Sequence, residues 1–132
     1  MEFALVVVLF LTLVFGIVQY SYYFYQSQGA SSTVREASRL AAVGVDSCAT
    51  FEAEVEDAAS DNGLPVSAIR SISLSFTGGA AAAIERGDVA TVTLTFEPEK
   101  FGFPFVPFLS GNDTEKARTR VEDLGTLVAT SC

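Results

Sequence analysis

Two thiols, Cys48 and the final residue Cys132, are the first groups in this chain that could do chemistry, since a thiol pair can close a bridge. None of the 132 residues is a histidine, so Cys–His and Ser–His–acid nucleophiles and the usual zinc ligand sets cannot be assembled. The pair lies far apart in sequence behind a strongly apolar start. That context predicts an oxidising compartment and a single Cys48–Cys132 disulfide, against the alternative of two unrelated thiols. Closing a loop of about 85 residues would stabilise the fold by up to ~4.5 kcal/mol in the chain-entropy account.

The carboxylates come next. Glu97 with Glu99, or Glu52 with Glu54 and Glu56, could be read as acid pairs or as a calcium site, but no EF-hand spacing exists and solvated charge is the expectation. Gly78-Gly79 precedes alanines and has no lysine, so it is not a phosphate loop. Asn112-Asp113-Thr114 fits the acceptor pattern for N-glycosylation. With sixteen acids against eight bases the formal net charge is −8, which disfavours nucleic acid or an anionic lipid surface as the main partner. The expectation is a non-enzymatic protein with no cofactor and no metal.

One carboxylate stands apart. Glu2 sits at the outer tip of a run from Phe3 to Val18 that is apolar except for Thr12. A charge near the centre of a bilayer costs ~2.5 kcal/mol or more, and less at its edge. Glu2 therefore either finds a partner or rests among headgroups. From Met1 to Val34 there is no Lys or Arg, so the basic flank of an ordinary signal peptide or anchor is missing, and the start reads as a mature N-terminus whose leader has been removed.

The element that positions Glu2 is a proline-free helix expected from Met1 to Val43. About 42 residues at ~1.5 Å each reach roughly 63 Å, twice the ~30 Å of a bilayer core. Its second half must stand outside the membrane, or the whole helix must leave it. Tyr20, Tyr22, Tyr23 and Tyr25 form an interfacial aromatic belt in a membrane, or bury area and need hydroxyl partners in a packed core. Gly16 and Gly29 permit close helix approach or slight melting. Ser27, Gln28, Ser31, Ser32 and Thr33 mark the change to a half able to carry a globular part.

The remaining residues suffice for one small domain. Gly44 has the position of a helix C-cap, and Asp46, Ser47 and Thr50 are candidate N-caps for a second helix running to about Asp61. Its apolar face is Phe51, Val55, Ala58 and Ala59, its first turns are loaded by Glu52, Glu54, Glu56 and Asp57, and Asn62-Gly63-Leu64-Pro65 ends it. From Ile69 the period becomes two: Arg70, Ile72, Leu74 and Phe76 alternate with serines, and Ala90, Val92, Leu94 and Phe96 alternate with threonines. A third strand is expected between Glu115 and Leu124. Before it, Phe101, Phe103, Phe105 and Phe108 lie among two prolines, in a loop that either folds over the sheet or contacts another subunit.

Glu2-Phe3-Ala4-Leu5-Val6, Phe15-Gly16-Ile17-Val18-Gln19 and Ala37-Ser38-Arg39-Leu40-Ala41-Ala42-Val43 together resemble TadE-like proteins, pilin-like subunits of tight-adherence systems within the type IV pilus superfamily. Beyond these stretches the likeness is one of layout. The resemblance implies a precursor cut by a prepilin peptidase, residence in the cytoplasmic membrane, and extraction by the assembly machinery into an extracellular helical filament of the same chain. In pilins the N-terminal glutamate usually stands fifth in the mature chain; here it is second.

The expected architecture is α+β: a long helix over 1–43, membrane anchor and then filament core, and over 44–132 an extracellular head with one short helix, a three-stranded antiparallel sheet and one disulfide. Glu2, Phe3, Phe10, Phe15, Tyr20, Tyr22, Tyr23 and Tyr25 are the expected assembly residues. The leading function is a structural pilin. The alternatives are a minor pilin or pseudopilin that primes a fibre of another subunit, and a single-pass anchored binding domain.

Overall fold

The computed structural model describes residues 2–44, 47–77, 84, 86–99, 111–122 and 132, with the side chain of Glu2 outside that description. The four phenylalanines Phe101, Phe103, Phe105 and Phe108 also lie outside the described residues. Helix α1 runs unbroken over Glu2–Val43, 42 residues, or about 63 Å. Its hydroxyls do not interrupt it, because they bond back to their own helix: Thr12 Oγ1 donates to Val8 O at 2.8 Å and Thr33 Oγ1 to Gly29 O at 2.9 Å. A hydroxyl satisfied this way avoids the cost of an unpaired polar group in apolar surroundings. Gly44 ends the helix with φ 113° and donates its N–H to Leu40 O at 3.2 Å, a backbone conformation that suits glycine.

Helix α2, Cys48–Asp61, is capped by Ser47, whose Oγ accepts the Thr50 N–H at 3.2 Å. With Ser47 as the cap, the acids begin at Glu52, one residue beyond the first turn. The expected dipole compensation in the first turn is therefore absent, and capping depends on the Ser47 hydroxyl. Phe51, Val55, Ala58 and Ala59 are its buried face. At the other end Asn62 N–H returns to Ala58 O at 3.0 Å, and Gly63 turns the chain with φ 77°. A short 3-10 turn, Val66–Ala68, leads into the sheet.

Strands β1 (Ile69–Phe76), β2 (Val89–Phe96) and β3 (Asp113–Arg120) form an antiparallel sheet in the order β1-β2-β3. Two expectations need correction. The third strand starts at Asp113, where it faces Phe96, and ends at Arg120. Past Arg120 the chain leaves the ladder, with Val121 N–H on Asp88 O at 2.9 Å and Glu122 N–H on Ala42 O at 3.2 Å. Arg70, expected on the inner face, is exposed, because the register slips between Ile69 and Ser71. Such a bulge turns one residue out of the alternation.

The inner sheet face, Leu74, Ala90, Val92, Leu94 and Phe96, shares one core with Phe51, Val55 and Ala59 of α2 and with Ala30, Val34, Ala37 and Ala41 of α1. The four α1 residues are spaced i, i+4, i+7, i+11, a single helical stripe. Cys48 and Cys132 form the expected disulfide, Cα–Cα 5.6 Å, over a separation of 84 residues. Cys132 also exchanges both backbone hydrogen bonds with Leu74, at 3.0 and 3.2 Å. The bridge thus ties the start of α2 to β1.

Candidate assembly helix and its anchor

The two halves of α1 have different surroundings. From Phe3 to Val18 the helix stands almost uncovered: Phe3 is 81% exposed, Leu9 70% and Phe10 60%. Burying one such side chain is worth about 1.5–3 kcal/mol, so an uncovered row of them in water is untenable. This is the one helix among the described residues long and apolar enough to cross a membrane. Phe15 is half-buried, unlike Phe3 and Phe10.

The tyrosines follow, and three of the four are held by their own subunit. Tyr22 donates its hydroxyl to Glu99 Oε2 at 3.2 Å, and Tyr23 donates to Asp113 Oδ2 at 2.5 Å. Tyr25 lies against Gly63, where an added Cβ would collide with the phenol oxygen. Gly63 is thus required twice, by its positive φ and by this ring. Tyr20, 48% exposed, has ring neighbours Tyr23 at 6.5 Å and Phe24 at 5.9 Å. Stacked or edge-on aromatic pairs at such distances add roughly 0.5–1.5 kcal/mol each. The girdle therefore buttresses the body against the helix where the apolar half ends.

Glu99, expected as solvated charge, and Asp113, noted in the sequence only as part of the glycosylation pattern, accept the two tyrosyl hydroxyls. Glu97, the other member of the suspected acid pair, is bonded to Arg70 Nη2 at 2.7 Å on the surface. Gln26 was also missed. It is fully buried, its Oε1 accepts the Glu99 N–H at 3.0 Å, and its Nε2 has no partner among the described residues. Gln19 is buried as well, with Oε1 unpaired among the described residues. The signal was present in the spacing: Gln19, Gln26 and Thr33 recur every seven residues on one stripe, and all three are buried.

Gly29 fulfils the expectation of close approach. A Cβ there would meet the Asn62 carbonyl oxygen at 2.6 Å, so the turn after α2 rests directly on the helix backbone. Gly16 has nothing within 4 Å of its Cβ position in the subunit. Asn112 is exposed just before β3.

Residues 1–39 match the family model described as TadE-like protein. No curated protein and no solved structure matches the chain. The matched segment is the uncovered half of α1, the tyrosine girdle and most of the small-residue stripe. Match and helix together fit a subunit related to tight-adherence pili, a structural class and not an enzymatic one.

Proposed function

We propose that this chain is a pilin: a subunit that waits in the cytoplasmic membrane on its apolar helix and polymerises through that helix into an extracellular, type IV-like pilus of tight-adherence type. The carrying observation is the continuity of α1. One rigid helix is at once the core of the packed body and a bare apolar rod more than 20 Å long. A membrane anchor alone would need no such continuity, since a flexible joint would serve. A filament whose core is made of these rods and whose surface is made of these bodies needs the two fixed together, and the Tyr22–Glu99 and Tyr23–Asp113 bonds and the Gly29 contact supply that fixation.

Glu2 is the register device in this reading, its carboxylate meeting the N-terminal ammonium of a neighbouring subunit. A buried pair of this kind sets axial step better than it adds stability. Phe3 and Phe10 pack against other copies of α1, while Tyr22, Tyr23 and Tyr25 hold the body to the rod. A prepilin peptidase and an assembly machine act on the chain before it enters the fibre.

Electron cryomicroscopy of fibres sheared from the producing cells tests this. Density for α1 and the three-stranded sheet in every repeat is the expected result. Fibres built of another subunit, with this chain at one end or absent, would move it to the minor-pilin reading, which the TadE-like match supports equally.

A further inference from the structure

Polymerisation leaves a physical gap. Lipid tails are as apolar as the helices themselves, so moving α1 from bilayer to filament core gains little hydrophobic free energy. Contacts outside the hydrocarbon must contribute to the preference for the fibre, and the packed body carries two faces of opposite charge suited to that.

The first is the outer face of the sheet. Ser71, Ser73 and Ser75 of β1 align with Thr95, Thr93 and Thr91 of β2, and these with Thr114, Lys116 and Arg118 of β3, with Arg120 next along the strand. No acid occurs at any of these positions. Lys116, Arg118 and Arg120 are exposed and make no ion pair among the described residues. Residues two apart on a strand are ~6.8 Å apart, so the three cations span roughly 14 Å. Charges on an edge strand do guard against stray strand pairing, but mixed signs would serve as well. Here three of the chain's eight bases stand in one line although acids outnumber bases two to one, and like charges in a row repel.

The second face is the outside of α2. Glu52, Glu54, Glu56, Asp57 and Asp61 are all exposed, and no base interrupts them. Glu54, Asp57 and Asp61, spaced i, i+3, i+7, form one stripe about 10 Å long. The long stems of Lys and Arg cover the small difference between the two spans. Each face is turned away from the shared core, so neither can satisfy the other within one subunit.

We propose that in the fibre the Glu54–Asp57–Asp61 stripe of one subunit docks on the Lys116–Arg118–Arg120 face of a neighbouring copy. The proposal rests on the polymerisation reading above. It is a heterologous contact between two different patches, the kind that continues indefinitely when the rotation does not close. Exposed pairs contribute little singly and weaken with salt, but a fibre repeats them at every step.

Two cysteines placed in one chain, Asp57→Cys with Arg118→Cys, test the contact in producing cells with the native bridge retained. Oxidised fibres should give a ladder of multimers on a non-reducing gel, absent from either single variant. A dimer from Asp57→Cys alone would mean that α2 meets α2 and would overturn the proposal. Charge reversal guards against misfolding of the cysteine variants. Lys116→Glu, Arg118→Glu and Arg120→Glu together should lower the chain recovered in fibres about tenfold, the effect of three exposed pairs. Adding Glu54→Lys, Asp57→Lys and Asp61→Lys should restore it. Unchanged recovery after reversal, with no ladder, overturns the docking while leaving polymerisation standing. Absence of the wild-type chain from fibres defeats polymerisation, and this contact with it. DNA retained by wild-type fibres and lost on reversal at unchanged fibre yield would assign the face to nucleic acid instead.

Discussion

The N-terminal half of α1 presents Phe3, Leu5, Leu9, Phe10, Leu13 and Ile17, all more than half exposed, whereas the C-terminal half presents Ala30, Val34, Ala37 and Ala41, all buried. Both halves are apolar and helical, yet they solve different problems. Small side chains let α2 and the sheet approach the helix backbone closely, so this half finds its partners inside the subunit. Bulky side chains hold neighbours at a distance and stand exposed, so that half needs an apolar environment from outside the described body. Side-chain size, more than hydrophobicity, divides the helix, and Gln19 to Gln26 with the tyrosine girdle is where it changes character.

The sharpest way to break that division is at the tip of the uncovered half. Glu2→Ala should leave the body folded, with an unchanged melting temperature in detergent, but lower fibre recovery by about a hundredfold. Breaking a buried pair typically costs 3 kcal/mol or more because the remaining charge is stranded. Fibre recovery equal to wild type would remove Glu2 from assembly.

The next effect belongs to the covered half. Gly29→Val places a branched side chain where the Asn62 carbonyl oxygen lies 2.6 Å from the Cβ position. Backbone cannot yield as a flexible side chain does, so the body should lose about 2 kcal/mol, read as a lower melting temperature of the detergent-solubilised chain. Tyr23→Phe, at the boundary, removes the hydroxyl that donates to Asp113. The expected loss is smaller, about 1 kcal/mol, because the bond is only part-buried. A melting temperature unaffected by Tyr23→Phe would show that the girdle is a membrane feature and not a clamp.

These sites also mark how far the sequence could be read. The alternation of Ala90, Val92, Leu94 and Phe96 with threonines locates β2 almost to the residue, because one face is fully buried and a period of two permits no other placement. The apolar face of α2 and its Asn-Gly end were legible for the same kind of reason. Strand β3 was placed late because Asp113 and Thr114 look like turn residues; Asp113 belongs on the inner face only because Tyr23, ninety residues away, reaches it. Arg70 escaped because a register slip leaves no local trace in composition. The alanine stripe of α1 looked like generic helix former, and only tertiary packing made it core. The disulfide was legible from count and context, whereas the role of Glu99 depended on where the chain brings Tyr22.

The smallest effect discriminates best between the two halves. In Gly16→Ala the new Cβ meets nothing within 4 Å in the subunit, and alanine is the better helix former by about 0.5–1 kcal/mol. The isolated chain in detergent should therefore keep its melting temperature and lose no helicity by circular dichroism. Any loss of fibre recovery in this variant would then have its cause outside the subunit, in a neighbouring helix that approaches the Gly16 backbone or in a need for α1 to soften there on leaving the membrane. Those causes separate on a second substitution: Gly16→Ser introduces a small hydroxyl that bonds back to its own helix, disfavours close approach as alanine does, and leaves local softening easier than alanine allows. Recovery with serine but not alanine would mark softening, failure of both would mark a contact, and full recovery with both would place Gly16 in lipid-facing or solvent-facing surface with no role in assembly.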